Sequence, residues 1–223
     1  MTTYPVNTVY STIQGEGCQT GIAMVLIRLQ GCSVGCPWCD TKETWAIDDH
    51  FRVDTIDGAI QKSMSWYSAT ASELVAYVAV NLPGPRWILV TGGEPANYPL
   101  GELVGAFQDA GYKVALETSG TETGHLDANF DWICVSPKIK MPGKKLVLPA
   151  ACAVADEIKH VVGKQADIDA LDLLLSTIAF RKPVQVCLQP VSQSQAATAL
   201  CIQTVKERGW RLSLQTHKYI QLP

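Results

Sequence analysis

Three cysteines, Cys32, Cys36 and Cys39, crowd into one segment, Gln30-Gly31-Cys32-Ser33-Val34-Gly35-Cys36-Pro37-Trp38-Cys39-Asp40-Thr41. The spacing C-x3-C-x2-C follows directly on Ala23–Leu29, a run of branched apolar residues that reads as a strand. Three thiolates on one tight loop can cap three corners of a cubane iron–sulfur cluster and leave the fourth iron open to a ligand. Structural zinc asks instead for four closed ligands, usually as two pairs. The chain contains no other C-x-x-C and no pair of histidines at zinc spacing. Cys18 or His50 could still act as a lone fourth ligand, so ligand count favours the cluster and leaves zinc open. The remaining cysteines are scattered, and a reducing compartment keeps such thiols free of disulfides. Cys18 reads as a small buried hydrophobe or free thiol, and Cys134, Cys152, Cys187 and Cys201 read as core residues.

A loop of this kind needs a scaffold, and the chain can supply one. Its 223 residues are 47% hydrophobic and 17% charged, enough for one large domain with a full core. A net charge of -3 lends no bulk attraction to nucleic acid. Apolar runs such as Met24-Val25-Leu26-Ile27 fall far short of the ~20 residues of a membrane span. The opening MTTYPVNTVY lacks the basic start and apolar stretch of a secretory signal. A cytoplasmic location, with no membrane and no nucleic-acid partner, is the expectation.

The apolar pattern alternates strands with helices. Further strands are expected over residues 86–90, 113–117, 132–135, 155–160, 184–188 and 211–214. Their near-continuous apolar runs suit strands covered on both faces, as in parallel sheets. Leu100, Leu103, Val104 and Phe107 recur at helical spacing, with Gly111 as a stop. Residues 72–81 open on Ser72 as a cap, and residues 168–178 and 194–208 are amphipathic, the latter ended by Gly209. Residues 119–131, with two glycines, are too short for a regular covering helix, and residues 136–154 carry Pro142 and Pro149. The pattern predicts an α/β fold: a partial parallel (β/α) barrel of about six strands with a reduced number of helices. It forms a single domain over residues 1–223, in which residues 47–71 read as an irregular insertion.

Polar tips follow several strands: Thr91-Gly92-Gly93-Glu94-Pro95, Glu117-Thr118-Ser119, Ser136-Pro137-Lys138, Gln189-Pro190 and residues 215–218. Each alone is a solvated loop. Together, at the carboxyl ends of parallel strands, they make an active-site mouth. Paired glycines let a backbone approach a ligand closely. Arg28 breaks an apolar strand four residues before Cys32. Its guanidinium either snorkels to water or offers a two-pronged grip on a carboxylate.

C-x3-C-x2-C with an aromatic residue before its last cysteine resembles the radical S-adenosylmethionine superfamily. A more specific likeness rests on a set of motifs. These are Ile13-Gln14-Gly15-Glu16-Gly17, Arg28-Leu29-Gln30-Gly31-Cys32, Cys39-Asp40-Thr41, Thr91-Gly92-Gly93-Glu94-Pro95, Leu116-Glu117-Thr118-Ser119-Gly120, Val135-Ser136-Pro137-Lys138, Glu157-Ile158-Lys159 and Gln215-Thr216-His217-Lys218-Tyr219. Together they resemble the 7-carboxy-7-deazaguanine synthases of gammaproteobacterial type, from about Tyr4 to the C-terminus. The resemblance implies a radical ring contraction of 6-carboxy-5,6,7,8-tetrahydropterin to 7-carboxy-7-deazaguanine with loss of ammonia, in queuosine and related deazapurine synthesis. It implies a 4Fe–4S cluster, S-adenosylmethionine and Mg²⁺ as cofactors, a reductant protein such as a flavodoxin, and a homodimer.

Carried over residue by residue, Cys32, Cys36 and Cys39 would hold the cluster and Thr41 would meet Mg²⁺. Pro37, Trp38, Cys39, Gly93, Glu94, Ser136, Pro137 and Lys138 would line S-adenosylmethionine. Ile13, Gln14, Gly15, Arg28, Thr91, Glu117, Gln189 and His217 would hold the pterin. Beyond the cluster and the cofactor radical, no catalytic residue is implied. Two other readings stay open at this point. One is a radical activase of a partner enzyme, which needs a mouth wide enough for a protein segment. The other is a zinc-binding module.

Overall fold

The computed structural model describes residues 2–123 and 126–220. The strands are β1 (Thr3–Ile13), β2 (Ala23–Leu29), β3 (Tyr67–Thr70), β4 (Trp87–Gly92), β5 (Lys113–Thr118), β6 (Trp132–Val135), β7 (Glu157–Val162), β8 (Gln185–Pro190) and β9 (Arg211–Leu212). They form one 9-stranded sheet in the order β3-β1-β2-β4-β5-β6-β7-β8-β9. From β2 through β9 every pairing is parallel, while β1 runs antiparallel to both β2 and β3. The expected partial barrel is therefore present, and the sheet is open, with β3 and β9 at its edges. The segment after β1 narrows the opening. Gly17 N–H donates to Ser213 Oγ at 2.8 Å, and Thr216 N–H donates to the Gly15 carbonyl at 2.9 Å.

The helices are α1 (Ile56–Ile60), α2 (Ala71–Asn81), α3 (Gly101–Asp109), α4 (Pro149–Cys152), α5 (Gln165–Leu175), α6 (Gln195–Arg208) and α7 (His217–Ile220). Their ends follow local chemistry. α2 starts earlier than Ser72 suggests. Thr70 Oγ1 accepts from Glu73 N–H, and the Glu73 carboxylate accepts from Thr70 N–H at 2.7 Å, a reciprocal cap. α5 also begins ahead of residue 168, where Asp167 Oδ2 accepts from the N–H groups of Gly163 and Lys164. α6 is capped by Ser194, and Gly209 ends it as expected, in the left-handed region at φ 68°. No helix of the described residues is long and apolar enough to cross a membrane.

Residues 47–71 differ from the expected irregular insertion. They contain α1 and β3, and β3 extends the sheet through β1, with Tyr4 beside Ala69 and Val6 beside Tyr67. β1 itself goes unrecognised in the sequence because Pro5, Asn7, Thr8 and Ser11 interrupt its apolar run.

The pleat divides the core in two. Val25, Ile27 and Leu29 of β2, Ile88 and Val90 of β4, and Val114 and Leu116 of β5 face the helices in one large cluster. Met24, Leu26, Leu89 and Ala115 form a smaller cluster on the opposite face, inside the curl of the sheet. Continuing the same alternation toward the carboxyl ends, Arg28, Thr91, Glu117 and Gln189 fall on the inner face above this apolar floor. The fold thus sorts polar side chains to the open end of the barrel by period alone.

Candidate active site

A cavity of about 480 Å³ opens at the carboxyl ends of the strands. Its walls bring together most of the residues singled out in the sequence. Cys32, Cys36, Cys39, Trp38 and Thr41 come from the loop after β2. Ile13, Gln14 and Gly15 come from the end of β1, Thr91 and Gly93 from β4, and Glu117 from β5. Ser136 and Lys138 follow β6, Gln189 lies on β8, and His217 opens α7. Pro37, Glu94 and Pro137 do not line the cavity.

The cysteine loop is folded by its own backbone. Cys39 N–H closes a turn onto the Cys36 carbonyl at 3.1 Å, and Gly143 N–H donates to the Val34 carbonyl at 3.0 Å. Gly31 and Gly35 take left-handed φ values of 96° and 71°, which let the loop turn back on itself. Burial pushes the Cys32 and Cys36 thiols up, and the Lys138 ammonium partly offsets this at Cys36. Such thiols ionise when a metal takes the place of their protons.

The spacing of the sulfurs tests which metal group the loop fits. Thiolates on one tetrahedral zinc stand about 3.8 Å apart, given bonds of about 2.3 Å. The sulfurs of Cys32, Cys36 and Cys39 do not all lie within 4.8 Å of one another. That spread suits separate irons of a cluster better than one ion. Neither candidate fourth zinc ligand joins the triplet: His50 is exposed on a short turn, and Cys18 stands against Cys187 instead. Trp45 Nε1–H donates to Cys39 Sγ at 3.4 Å and holds that sulfur in place.

The Thr91-Gly92-Gly93-Glu94-Pro95 turn has a structural explanation. Gly93 N–H donates to the Leu29 carbonyl and Glu94 N–H to the Gly31 carbonyl, both at 2.8 Å. A Cβ at Gly92 or Gly93 would strike the backbone of Leu29 or Gly31. These glycines are what allow β4 to meet the start of the cysteine loop. Glu94 is 2% exposed and fully engaged. Its Oε1 accepts from Thr118 Oγ1 at 2.6 Å and Ala96 N–H at 2.9 Å, and its Oε2 accepts from Ser119 N–H at 2.8 Å and from the Ser119 hydroxyl. Glu94 therefore bolts the tips of β4 and β5 together behind the cavity wall.

Arg28 is half-buried on the inner face of β2, in register with Thr91, and has no ion-pair partner among the described residues. Opposite charges gather on the other side. Lys159 Nζ lies 2.6 Å from Glu16 Oε2 and 3.0 Å from Glu117 Oε1. Gln215 Nε2 donates to Glu16 Oε1, and Gln14 Nε2 donates to Glu117 Oε1. Burial alone would raise the Glu16 carboxyl, but the Lys159 ammonium and these hydrogen bonds hold it down to about 2. The same two carboxylates outweigh burial at Lys159 and keep it charged. Glu117 Oε2 accepts no hydrogen bond among the described residues and is free to serve a ligand. Ser213 Oγ occupies Gln189 Oε1, which leaves the amide N–H donors of Gln189 for the cavity.

Lys159, Glu16 and Gln215 line the site, and their roles were not legible in the sequence. The available signal was a lysine in the apolar strand Glu157–Val162, the same kind of interruption that marks Arg28.

No family model matches the chain. Its full length nevertheless aligns with known enzymes. It is 43% identical over 221 residues to 7-carboxy-7-deazaguanine synthase of Escherichia coli K12, covering 98% of this chain and 99% of that one. The enzyme of the same description from Synechocystis is 34% identical over 218 residues, covering 97% of this chain and 92% of that one. The crystal structure of QueE from Escherichia coli superposes with a TM-score of 0.91 at 43% identity, covering 96% and 95% of the two chains. With 43% identity across 98% of its length, the chain belongs to the 7-carboxy-7-deazaguanine synthase family.

Proposed function

We propose that the whole chain, as a single domain, is a radical S-adenosylmethionine lyase. It converts 6-carboxy-5,6,7,8-tetrahydropterin to 7-carboxy-7-deazaguanine with loss of ammonia, in the cytoplasm, on the route to queuosine. The observation that carries this reading is the joint placement, on one small cavity, of a three-cysteine loop and an arginine with no ion-pair partner among the described residues. When bound, the cluster and S-adenosylmethionine would supply the radical chemistry that removes a hydrogen atom from the substrate.

The chain's own residues then bind and orient. Cys32, Cys36 and Cys39 would hold the cluster. Trp38, Gly93, Ser136 and Lys138 line the space for S-adenosylmethionine. Pro37, Glu94 and Pro137 support that space from behind. Arg28 grips the substrate carboxylate through two parallel hydrogen bonds and so fixes which C–H faces the radical. Glu117 Oε2 accepts from the N–H edge of the pterin, while Gln14, Thr91, Gln189 and His217 complete its polar rim. Ile13 and Gly15 close the apolar side. Thr41 Oγ1, 3.7 Å from Cys39 Sγ, would offer a hard oxygen to a bound Mg²⁺. A cavity of about 480 Å³ suits a small molecule rather than a protein segment, which favours the lyase over an activase. A flavodoxin-like reductant and a homodimeric state belong to the same reading.

Anaerobic incubation with the carboxytetrahydropterin, S-adenosylmethionine, Mg²⁺ and a reductant, followed by mass analysis, tests it. Formation of 7-carboxy-7-deazaguanine is expected. Cleavage of S-adenosylmethionine without that product would overturn the substrate assignment.

A further inference from the structure

Below the active-site cavity, the loop after β1 lies across the inner faces of β7 and β8. Cys18, on a short turn over Gly17–Gln19, brings its Sγ to 3.5 Å from Cys187 Sγ, although the two are 169 residues apart in the chain. A carboxylate oxygen of Glu157 joins them, so that all three ligand-capable atoms lie within 4.8 Å of one another. Neither Cys18 nor Cys187 nor Glu157 lines the cavity above, and none belongs to the cysteine triplet.

Glu157 is the unexplained member. It is 2% exposed, and no lysine or arginine pairs with it among the described residues. Cys18 N–H donates to its Oε2 at 3.0 Å, while among the described residues Oε1 has no neighbour to answer it other than the Cys18 and Cys187 thiols. The nearby Lys159 ammonium is already shared between Glu16 and Glu117. A buried carboxylate left without a countercharge is unfavourable unless something else answers it. Gly17 adds to the fit: at φ 69° it packs directly on Glu157, and a Cβ there would collide with the carboxylate.

We propose that Cys18, Cys187 and Glu157 form a second metal site, taking a thiophilic divalent cation of the Zn²⁺ type through two thiolates and one carboxylate. The donor set is two soft sulfurs and one oxygen, which zinc accepts, with a water in its fourth position. The 3.5 Å separation of the sulfurs is close to the about 3.8 Å expected for thiolates sharing one tetrahedral ion. A Cys18–Cys187 disulfide would use the same sulfurs but leave Glu157 buried without a countercharge, so the carboxylate selects the cation. The ion would clip Gly17–Gln19 onto the sheet and thereby hold the adjoining Glu16 against Lys159.

The test uses the anaerobic holoenzyme with its cluster intact. Protein is equilibrated with a slight excess of Zn²⁺ and dialysed. Zinc and iron are then counted together, and the zinc X-ray absorption edge gives the zinc neighbours. The expected result is about one zinc per chain with two sulfurs at about 2.3 Å and oxygen at about 2.0–2.2 Å. Zinc should fall to background in Cys18→Ala/Cys187→Ala and weaken at least tenfold in Glu157→Gln, with iron content unchanged in both. Failure of the wild type to retain zinc would overturn the proposal. So would equal retention by the double variant, or peptide mass analysis showing Cys18 and Cys187 joined as a disulfide.

Discussion

The Lys159 ammonium lies 2.6 Å from the Glu16 carboxylate and draws the loop after β1 onto β7, across 143 residues of sequence. Its second contact, 3.0 Å to Glu117, fixes one wall of the cavity. Lys159 is 3% exposed, so its charge has no recourse to water. Lys159→Met would leave two partly buried carboxylates without a cation, at a cost of about 3–5 kcal/mol. Urea unfolding should show that loss. Adding Glu16→Gln to the lysine variant should recover part of it, since one stranded charge is then removed. A Lys159→Met chain as stable as the wild type would remove this ion cluster from the account.

His160, the next residue, faces the other side of β7 and sets the response to acid. Its Nε2–H donates to the Asp167 carbonyl at 3.1 Å, and its Nδ1 has no partner. Burial, with Lys138 nearby, lowers its pKa from 6.5 to about 4. The unfolded chain therefore takes up a proton near pH 6.5 that the folded chain refuses until about pH 4. Stability falls as pH drops through that window, by up to roughly 3 kcal/mol. Glu16 acts lower. Its contribution is complete above its ordinary value of 4.5 and fades as pH approaches 2. His160→Gln should flatten the fall in urea midpoint between pH 6.5 and 4 and leave the lower limb in place. An unaltered profile would contradict the assignment.

Glu94 gives a prediction that separates a bolt from a ligand contact. Glu94→Gln replaces one acceptor oxygen with an amide that faces donors from Thr118, Ser119 and Ala96. Leaving buried donors unmatched costs about 1–3 kcal/mol. The variant should melt lower, and its cluster should be lost faster on exposure to air. Wild-type stability combined with weakened S-adenosylmethionine binding alone would mean that Glu94 reaches the cofactor instead.

Arg28→Lys keeps the charge and loses the fork. Substrate binding should weaken by roughly 1.5–3 kcal/mol, about ten- to a hundredfold. Cleavage of S-adenosylmethionine without substrate should persist, and product per deoxyadenosine should fall. Arg28→Ala turning over like the wild type would make Arg28 a structural residue.

Much of this was legible in the sequence, for identifiable reasons. Strands buried on both faces carry unbroken apolar runs, and so β2 and β4 through β8 could be read directly. The pleat then dictated that Arg28, two residues beyond Leu26, faces inward. β3 was hidden because it is short and lies at the sheet's edge, and β1, although paired on both sides, was hidden because Pro5, Asn7, Thr8 and Ser11 dilute its apolar run. The cysteine loop needed no structure, since its ligands are adjacent in sequence. Lys159 and Glu16 could not be paired in advance, because only the return of the β1 loop across the barrel brings them together. The hydrogen bonds by which Glu94 joins β4 to β5 were not legible either, because a motif names a residue without showing which way it points.

The central claim is that the loop of Cys32, Cys36 and Cys39 presents an open iron to the cavity that Arg28 lines. The most direct measurement is the electron paramagnetic resonance spectrum of the reduced, anaerobically prepared protein before and after adding S-adenosylmethionine. The account predicts about four irons per chain and a signal that shifts when the cofactor's amine and carboxylate reach the free iron. A signal unchanged at saturating S-adenosylmethionine, or zinc in place of iron at the triplet, would contradict it.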